Sequence, residues 1–487
     1  MLMKSLPRRS RPPSAAIKVC RARLVRVRLT ASFPSQSRYL SSLEHSCLDL
    51  EGCGSPVGFC LQSVSKNLLD LYQDKASSGL NPSTVMQDTL GTAEALLILA
   101  DEKLLSYSYK EVPDCWRQLY TDSTLIKVSS IFANQVAQKE LLSEQHCRDM
   151  IRLLDMTLIV AGAPGKGRKD VVYFLINKLQ SYLSNNYLAL QDHNRPQKRF
   201  RKSDPPPSAH VSSPLVGNSM RCLDVCPNLQ EFANTFHKSP FVIKGYCKNW
   251  RALTTAPWES NEYLKAVAGP ARVVPIEVGK NYAQDDWSQR IIEWDEFLTR
   301  LDDGDPTQLH YLAQHNIFNQ FPSLKDDIEL PYYLDCQLPP ASRPIPDTED
   351  GAILNVWVGP AGTVSPAHID PYYNCYAQVV GRKYVWVAPP KFGSEMYPFG
   401  TTPEDVELGP QSLQASYMTN TSQVDVLSST ENTNIPQLRE CFPNFVEKVI
   451  PEALQIVLEA GDMMIMPPGW WHSMKSLEKS ISVSMWF

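Results

Sequence analysis

Neither a helix nor a sheet ladder runs through Pro205-Pro206-Pro207, because three successive residues lack a backbone N–H and have φ fixed near −65°. In a chain of 487 residues the triplet separates two folding problems. It lies in a segment, 191–219, that also carries Gln197-Lys198-Arg199-Phe200-Arg201-Lys202 and Ser212-Ser213-Pro214. Proline stretches of this kind act as semi-rigid spacers. The basic cluster fits a nuclear import signal and equally a solvated charge run.

The two sides of this linker differ in texture. Residues 50–190 are rich in helix formers, as in Ala93-Glu94-Ala95-Leu96-Leu97-Ile98-Leu99-Ala100 and Leu141-Leu142-Ser143-Glu144-Gln145. Apolar residues recur at helical spacing: Met150, Leu153, Leu154 and Leu158, then Val171, Phe174, Leu175, Leu179 and Leu183. We expect an all-α domain of several antiparallel helices, serving as a scaffold or binding a protein partner. From residue 220 to 487, short runs of aromatic and β-branched residues alternate with Gly/Pro turns. Examples are Phe241-Val242-Ile243, Val273 to Val278, Ile353 to Val358, Lys383 to Val387 and Ser480 to Trp486. Many short strands so spaced suggest a sandwich or jelly roll. Residues 287–301, with Ile291, Ile292, Phe297 and Leu298 apolar, read as a helix on its outside.

Composition narrows the function. The net charge of −5 and pI near 6.0 argue against direct nucleic-acid binding, but leave a protein or peptide substrate open. The 12 cysteines are irregularly spaced and form no CxxC pair, so neither a zinc ribbon nor a disulfide scaffold is expected. Reduced thiols fit cytosol, nucleus or mitochondrial matrix. No apolar run reaches the roughly 18 residues of a membrane span, so no membrane association is expected. Residues 1–43 hold ten Lys or Arg and no acid. That composition, within a basic segment 1–45, fits a mitochondrial transit peptide, a disordered basic tail, or residues upstream of the true start.

The chemistry centres on His368-Ile369-Asp370. On an extended segment residues i and i+2 share a face, so one imidazole and one carboxylate converge. His472 is the best third ligand. It follows Ala460-Gly461-Asp462 to Met466 and the corner Pro467-Pro468-Gly469-Trp470-Trp471, a turn, a short buried strand and a rigid bend that presents a histidine. Two histidines and a carboxylate on a β scaffold describe the facial triad of non-haem Fe(II) oxygenases. Lys383 opens a strand whose Val385 and Val387 share its face. Either it meets an anion there, such as the distal carboxylate of 2-oxoglutarate, or it snorkels from the strand end.

Taken together, these residues resemble the JmjC family of 2-oxoglutarate oxygenases. The stretches that carry the resemblance are Pro275 to Gly279 with Asp286 to Gln289, Tyr311 to His315, Trp357 to Ser365, His368 to Pro371, Gln378 to Tyr384, Asn420 to Asp425, and His472. They cover roughly residues 225–487. The resemblance implies an α+β multidomain chain: a helical N-terminal domain, then a double-stranded β-helix of the jelly-roll, cupin-like JmjC kind. It implies Fe(II) on His368, Asp370 and His472, with O₂ and 2-oxoglutarate as co-substrates. Lys383 would pair with the distal carboxylate, Tyr311, Ser365 and Asn374 would hydrogen-bond around it, and Trp486 would pack beside it. Glu277, Tyr282 and Trp357 would face the substrate, a carboxylate among rings that suits a guanidinium or ammonium group. Trp357 as core and Glu277 as a surface carboxylate is the bland alternative.

The implied activity is hydroxylation of an arginyl or lysyl side chain in a protein, with histone, ribosomal and chromatin-associated proteins in view. Histone lysine demethylation by the same chemistry and a non-catalytic interaction module are the alternatives, as is a zinc or manganese cupin isomerase. Nucleus or cytoplasm is expected, or mitochondrial matrix if residues 1–43 are a transit peptide. Tyr372-Tyr373 and the Pro-Pro-Gly-Trp-Trp corner depart from the family pattern close to the pocket.

Overall fold

The structure is a computed structural model. It describes residues 50, 52–72, 82–107, 111–138, 142–191, 217–279, 287–303, 309–341, 343–344, 348–400, 418–430 and 434–487. The basic leader, the cluster at 197–202 and Tyr282 lie outside the described residues. The chain divides into two compact units, 1–194 and 195–487. Among the described residues no helix is long and apolar enough to cross a membrane.

The first unit is helical: α1 Ser55–Tyr72, α2 Pro82–Leu105, α3 Asp114–Gln138, α4 Glu144–Met156 and α5 Arg168–Gln191. Its interior collects Leu61 and Leu68, Ala93 and Leu96, Leu119 and Leu125, Met150 and Leu154, and Val172 and Leu179. Burying each large side chain contributes about 1.5–3 kcal/mol. Asp122 and Arg168 form a buried two-toothed ion pair between α3 and α5 at 3.1 and 3.3 Å. Ser143, within a stretch expected to be helical, instead caps α4 by accepting from the His146 N–H.

In the second unit fourteen described strands form two sheets. The first holds β1 Asn218–Ser219, β8 Val364–Ile369, β10 Lys383–Ala388, β11 Leu454–Leu458 and β13 Trp471–Ser476, in the order β1-β11-β10-β13-β8. The other strands are β2 Arg221–Leu223, β3 Phe241–Ile243, β4 Val273–Val278, β5 Ser288–Glu293, β6 His310–His315, β7 Ile353–Gly359, β9 Asn374–Val380, β12 Met463–Met466 and β14 Ser480–Trp486. They pair as β2-β3-β12-β9-β14-β7-β6-β4-β5. The described α-helices of this unit are α6 Leu229–Asn234, α7 Asn261–Ala268, α8 Trp294–Asp303 and α9 Ile435–Cys441.

Strand alternation assigns the faces. In β14 Ile481, Val483 and Met485 join a large core that also takes Phe297 and Leu298 of α8 and Leu264 of α7. The intervening Ser480, Ser482 and Ser484 therefore point the other way, toward the first sheet. Between the sheets lies a second apolar cluster, with Tyr376, Met464 and Met466 from one side and Val385, Val387 and Met474 from the other. A third core, including Trp386, Phe392, Phe445 and Trp471, covers the outer face of the smaller sheet. The helical domain followed by a jelly roll matches the expected fold class.

One element departs from expectation. Residues 287–301 are not one helix: β5 occupies Ser288–Glu293 and α8 begins at Trp294. The first half pairs antiparallel with β4, Ile292 opposite Val274 and Ile291 opposite Pro275. The adjacent β-branched pair at Ile291-Ile292 suits a strand edge better than a helix interior.

Candidate metal and co-substrate site

β8 and β13 run antiparallel with His368 directly opposite His472. Their ring centroids are 4.2 Å apart. Asp370, just past the end of β8, brings one carboxylate oxygen to 3.9 Å from His368 Nε2 and the other to 3.5 Å from His472 Nε2. One ligand atom from each of the three lies within 4.8 Å of the others. Each histidine donates its Nδ1 proton to the carbonyl two residues before it, His368 to Pro366 at 2.8 Å and His472 to Trp470 at 3.0 Å. Those bonds leave both Nε2 lone pairs facing the carboxylate. Burial, and then the neighbouring His368, pull His472 down to about 4, so it is neutral near pH 7.

The backbone explains the convergence. Gly469, at φ +78° in the proline corner, donates its N–H to the Asp370 carbonyl at 2.9 Å. A left-handed φ there favours glycine. On its other edge β8 is held by the segment after Met418: Ser422 donates to the Ala367 carbonyl and Ile369 to that of Asn420. Between His472 and Met474 the register slips, so that Ser365 faces Met474 while His368 faces His472. This bulge spans Pro366, which cannot donate to the ladder. It lets Ser365 and His368, three residues apart, serve the same face, while Ala367 turns to the outer core.

Deeper between the sheets lies Lys383, 1 % exposed. Its Nζ donates to the hydroxyls of Tyr376 at 2.9 Å and Tyr311 at 3.3 Å. It has no acidic partner among the described residues, and burial draws it down to about 7. The snorkelling alternative is thereby excluded for this side chain. Ser365 stands beside the Tyr311 hydroxyl. Asn374 and Trp486 face each other across β9 and β14, and Asn374 Oδ1 and Trp486 Nε1 are buried without a hydrogen-bond partner. Asn355 Nδ2, further along the same face, is a third such atom. The rings of Tyr372 and Trp486 lie 5.6 Å apart.

Glu277 pairs with Tyr311 across β4 and β6. It is half-buried rather than on the open surface, and burial raises its carboxyl above the ordinary range, with the Trp287 indole opposing in part. The Trp357 ring sits 6.0 Å from that of Tyr311, and its indole donates to Ser484. So Glu277, Tyr311 and Trp357 form one continuous patch. Tyr376 was not singled out from sequence, although Asn374, Tyr376 and Gln378 alternate with apolar Cys375, Ala377 and Val379, the signal of a polar inner face.

The comparisons with known proteins agree with this geometry. A family described as a cupin-like domain matches residues 228–487. Lysine-specific demethylase 8 of Danio rerio is 33% identical over 404 residues, 81% of this chain and 87% of that protein. Jumonji C domain-containing protein 5 of Drosophila melanogaster is 35% identical over 268 residues, covering 54% and 58%. This chain belongs to the JmjC family of cupin-like oxygenases. A more distant JmjC relative is the bifunctional peptidase and (3S)-lysyl hydroxylase JMJD7 of Homo sapiens, 24% identical over 289 residues, 54% and 78%. The JmjC chain is accordingly a 2-oxoglutarate-dependent dioxygenase.

The residues fit the groups this family uses. Two imidazole nitrogens and a carboxylate, with their tautomers fixed by backbone carbonyls, suit Fe(II). A buried lysine lacking an acid and flanked by two phenols suits a carboxylate, and the orphaned polar atoms of Asn374 and Trp486 await a polar ligand.

Proposed function

We propose that this chain uses Fe(II) and 2-oxoglutarate to hydroxylate an arginyl or lysyl side chain of a protein. The observation that carries the reading is the placement of acid-free Lys383 on the same inner face as the His368–Asp370–His472 cluster. In β13 the residues opposite Val387 and Lys383 are His472 and Ser476. Four residues of strand, about 13 Å, separate the two ends. The lysine stem takes up part of that gap, and a short dicarboxylate fills the remainder.

His368, Asp370 and His472 would hold the metal through two nitrogens and one oxygen. Lys383 and Tyr311 would hold the far carboxylate of 2-oxoglutarate, with Ser365 orienting the Tyr311 hydroxyl. Asn374 and Trp486 would meet the nearer polar end. Bound together, the iron and 2-oxoglutarate supply the oxidising chemistry that the protein lacks. Glu277 would then hold a cationic side chain by paired hydrogen bonds, with Trp357 and Tyr311 offering ring faces. A cation-seeking pocket with one carboxylate favours arginine or lysine in a protein or peptide, with histones and ribosomal or chromatin-associated proteins as the classes to test. The helical first unit is a candidate docking module for a protein partner.

Demethylation is the second reading, supported by the demethylase names of the relatives. Hydroxylation on an N-methyl carbon gives a hemiaminal that collapses to the free amine and formaldehyde. One assay separates the readings. Purified protein with Fe(II), ascorbate and 2-oxoglutarate should form succinate, and the His368→Ala and Asp370→Ala variants should not. Product peptides should gain about 16 Da on hydroxylation or lose about 14 Da on demethylation, by the general chemistry. Wild-type protein that makes no succinate with any candidate peptide would defeat both. Nuclear or cytoplasmic residence is part of this proposal, and imaging of a C-terminal fusion tests it.

A further inference from the structure

The motif Gln378-Val379-Val380-Gly381-Arg382-Lys383-Tyr384 contains a buried polar chain that the reading above does not use. Gln378 is fully buried and fixes the chain's direction. Its amide Nε2 donates to the carbonyls of Val380 at 2.7 Å and Gly381 at 3.2 Å and to Ser480 Oγ at 2.8 Å. Its protons thus committed, Oε1 is left to accept, and Ser482 Oγ donates to it at 2.8 Å. A serine hydroxyl has one proton. Ser482 therefore offers only lone pairs to its other neighbour, the Tyr376 hydroxyl. The Tyr376 oxygen in turn accepts from Lys383 Nζ at 2.9 Å, which leaves its own proton available to a lone pair of Ser482.

We propose that Gln378, Ser482 and Tyr376 form a one-way hydrogen-bond relay that positions Lys383, and that Tyr376 thereby sets the length of 2-oxo dicarboxylate the site accepts. The inference rests on the oxygenase reading above. Tyr376 is a positioning residue: it acts through the lysine. Its oxygen fixes one of the three Nζ bonds, Tyr311 fixes a second, and the third N–H has a single direction left. A far carboxylate must lie along that direction. The relay is anchored in the Gly381-Arg382 turn, so the lysine head cannot follow a ligand one methylene longer or shorter without giving up a buried charged hydrogen bond.

The test uses the full chain loaded with Mn(II) in oxygen-free buffer, so that nothing turns over. Calorimetry gives dissociation constants for 2-oxoglutarate, for oxaloacetate, one methylene shorter, and for 2-oxoadipate, one longer. Tyr376→Phe should weaken 2-oxoglutarate by about tenfold and shrink its advantage over both analogues, as expected for a lost hydrogen bond to a charged group. Ser482→Ala should move the constants the same way by a smaller factor. The double variant should be no weaker than Tyr376→Phe alone, since the relay is already cut. The proposal is overturned if Tyr376→Phe keeps the wild-type preference among the three acids, or if the two substitutions add. Should Tyr376→Phe fail to fold, as read from its unfolding midpoint, Ser482→Ala decides: wild-type constants there overturn the relay. Wild-type protein that binds no 2-oxoglutarate brings down the oxygenase reading itself, a distinct outcome.

Discussion

His368 and His472 stand opposite each other on antiparallel strands, and each spends its Nδ1 proton on the carbonyl two residues back. Those two bonds fix both rings with Nε2 toward Asp370. Added Mn(II) should raise the unfolding midpoint of wild-type protein, since a ligand at about 100 times its Kd adds roughly 2.7 kcal/mol. Asp370→Ala and His472→Ala should lose that shift, and chelation should reverse it in wild type. A metal shift that persists in both variants would place the ion elsewhere.

On the proposed role of Lys383, co-substrate binding should depend on pH. Burial takes it from an ordinary 10.5 to about 7, and its polar neighbours are the Tyr311 and Tyr376 hydroxyls. Between those two values the unfolded chain holds a proton there that the native ligand-free state lacks. The contribution of this group to stability therefore rises with pH from about 7 to about 10.5. Binding of a dicarboxylate restores the charge. At pH 8.5, calorimetry in buffers of different ionisation enthalpy should show uptake of close to one proton per site. Lys383→Met should abolish it.

Gly359 makes room for Tyr311. A Cβ there would stand 2.7 Å from Tyr311 Cδ2 and 2.9 Å from the Thr363 side chain. Gly359→Ala should displace the phenol and weaken 2-oxoglutarate binding several-fold, while costing only about 1–3 kcal/mol of stability as an overpacked core site. Isothermal binding and chemical denaturation on one preparation would separate the two effects.

Gly381 presents a harder limit. Its φ is +69°, and a Cβ would run into the carbonyl oxygen of Lys479. Backbone in that region costs a non-glycine residue on the order of 1–3 kcal/mol before the clash is counted. Gly381→Ala should lower the unfolding midpoint more than Gly359→Ala; a smaller effect would show that the Gly381-Arg382 turn yields easily.

The proposed role of Glu277 as holder of the substrate cation separates substrate from co-substrate in a test. Glu277→Gln keeps shape and loses charge. It should raise KM for a cationic peptide by about tenfold or more, as for a lost charge-assisted bond, and leave peptide-free succinate formation within about twofold. Equal loss in both would instead tie Glu277 to the co-substrate through Tyr311.

The sequence carried the architecture and the JmjC resemblance because both rest on local pattern: helical spacing before the prolines, alternation after them, and the two-residue step from His368 to Asp370. It carried less where the answer lies across strands. Ile291-Ile292 looked helical with Phe297-Leu298 because the two pairs fall six residues apart, and only pairing with β4 reveals the strand. Tyr376 read as an ordinary strand residue, since nothing in the sequence says that β9 and β10 place its hydroxyl on Lys383. The bulge at Pro366 is likewise invisible to a strict two-residue period, which would turn Ser365 away from His368. Glu277 and Trp357 left two readings open because burial depends on Tyr311, a neighbour some thirty or more positions away in the chain.

The sheet order sets the timetable of assembly. β14 lies between β9 and β7, and all the other strands of its sheet precede it in the chain. Without Ser480–Trp486, β2-β3-β12-β9 and β7-β6-β4-β5 have no strand to join them, and β9 and β7 keep their facing edges unpaired. Both halves hold residues of the site, Asn374 and Tyr376 in one and Tyr311 and Glu277 in the other. Long-range closure of this kind is slow, and exposed edges in the interval invite mispairing. The last strand of the JmjC domain is thus the one that joins the two halves of its site.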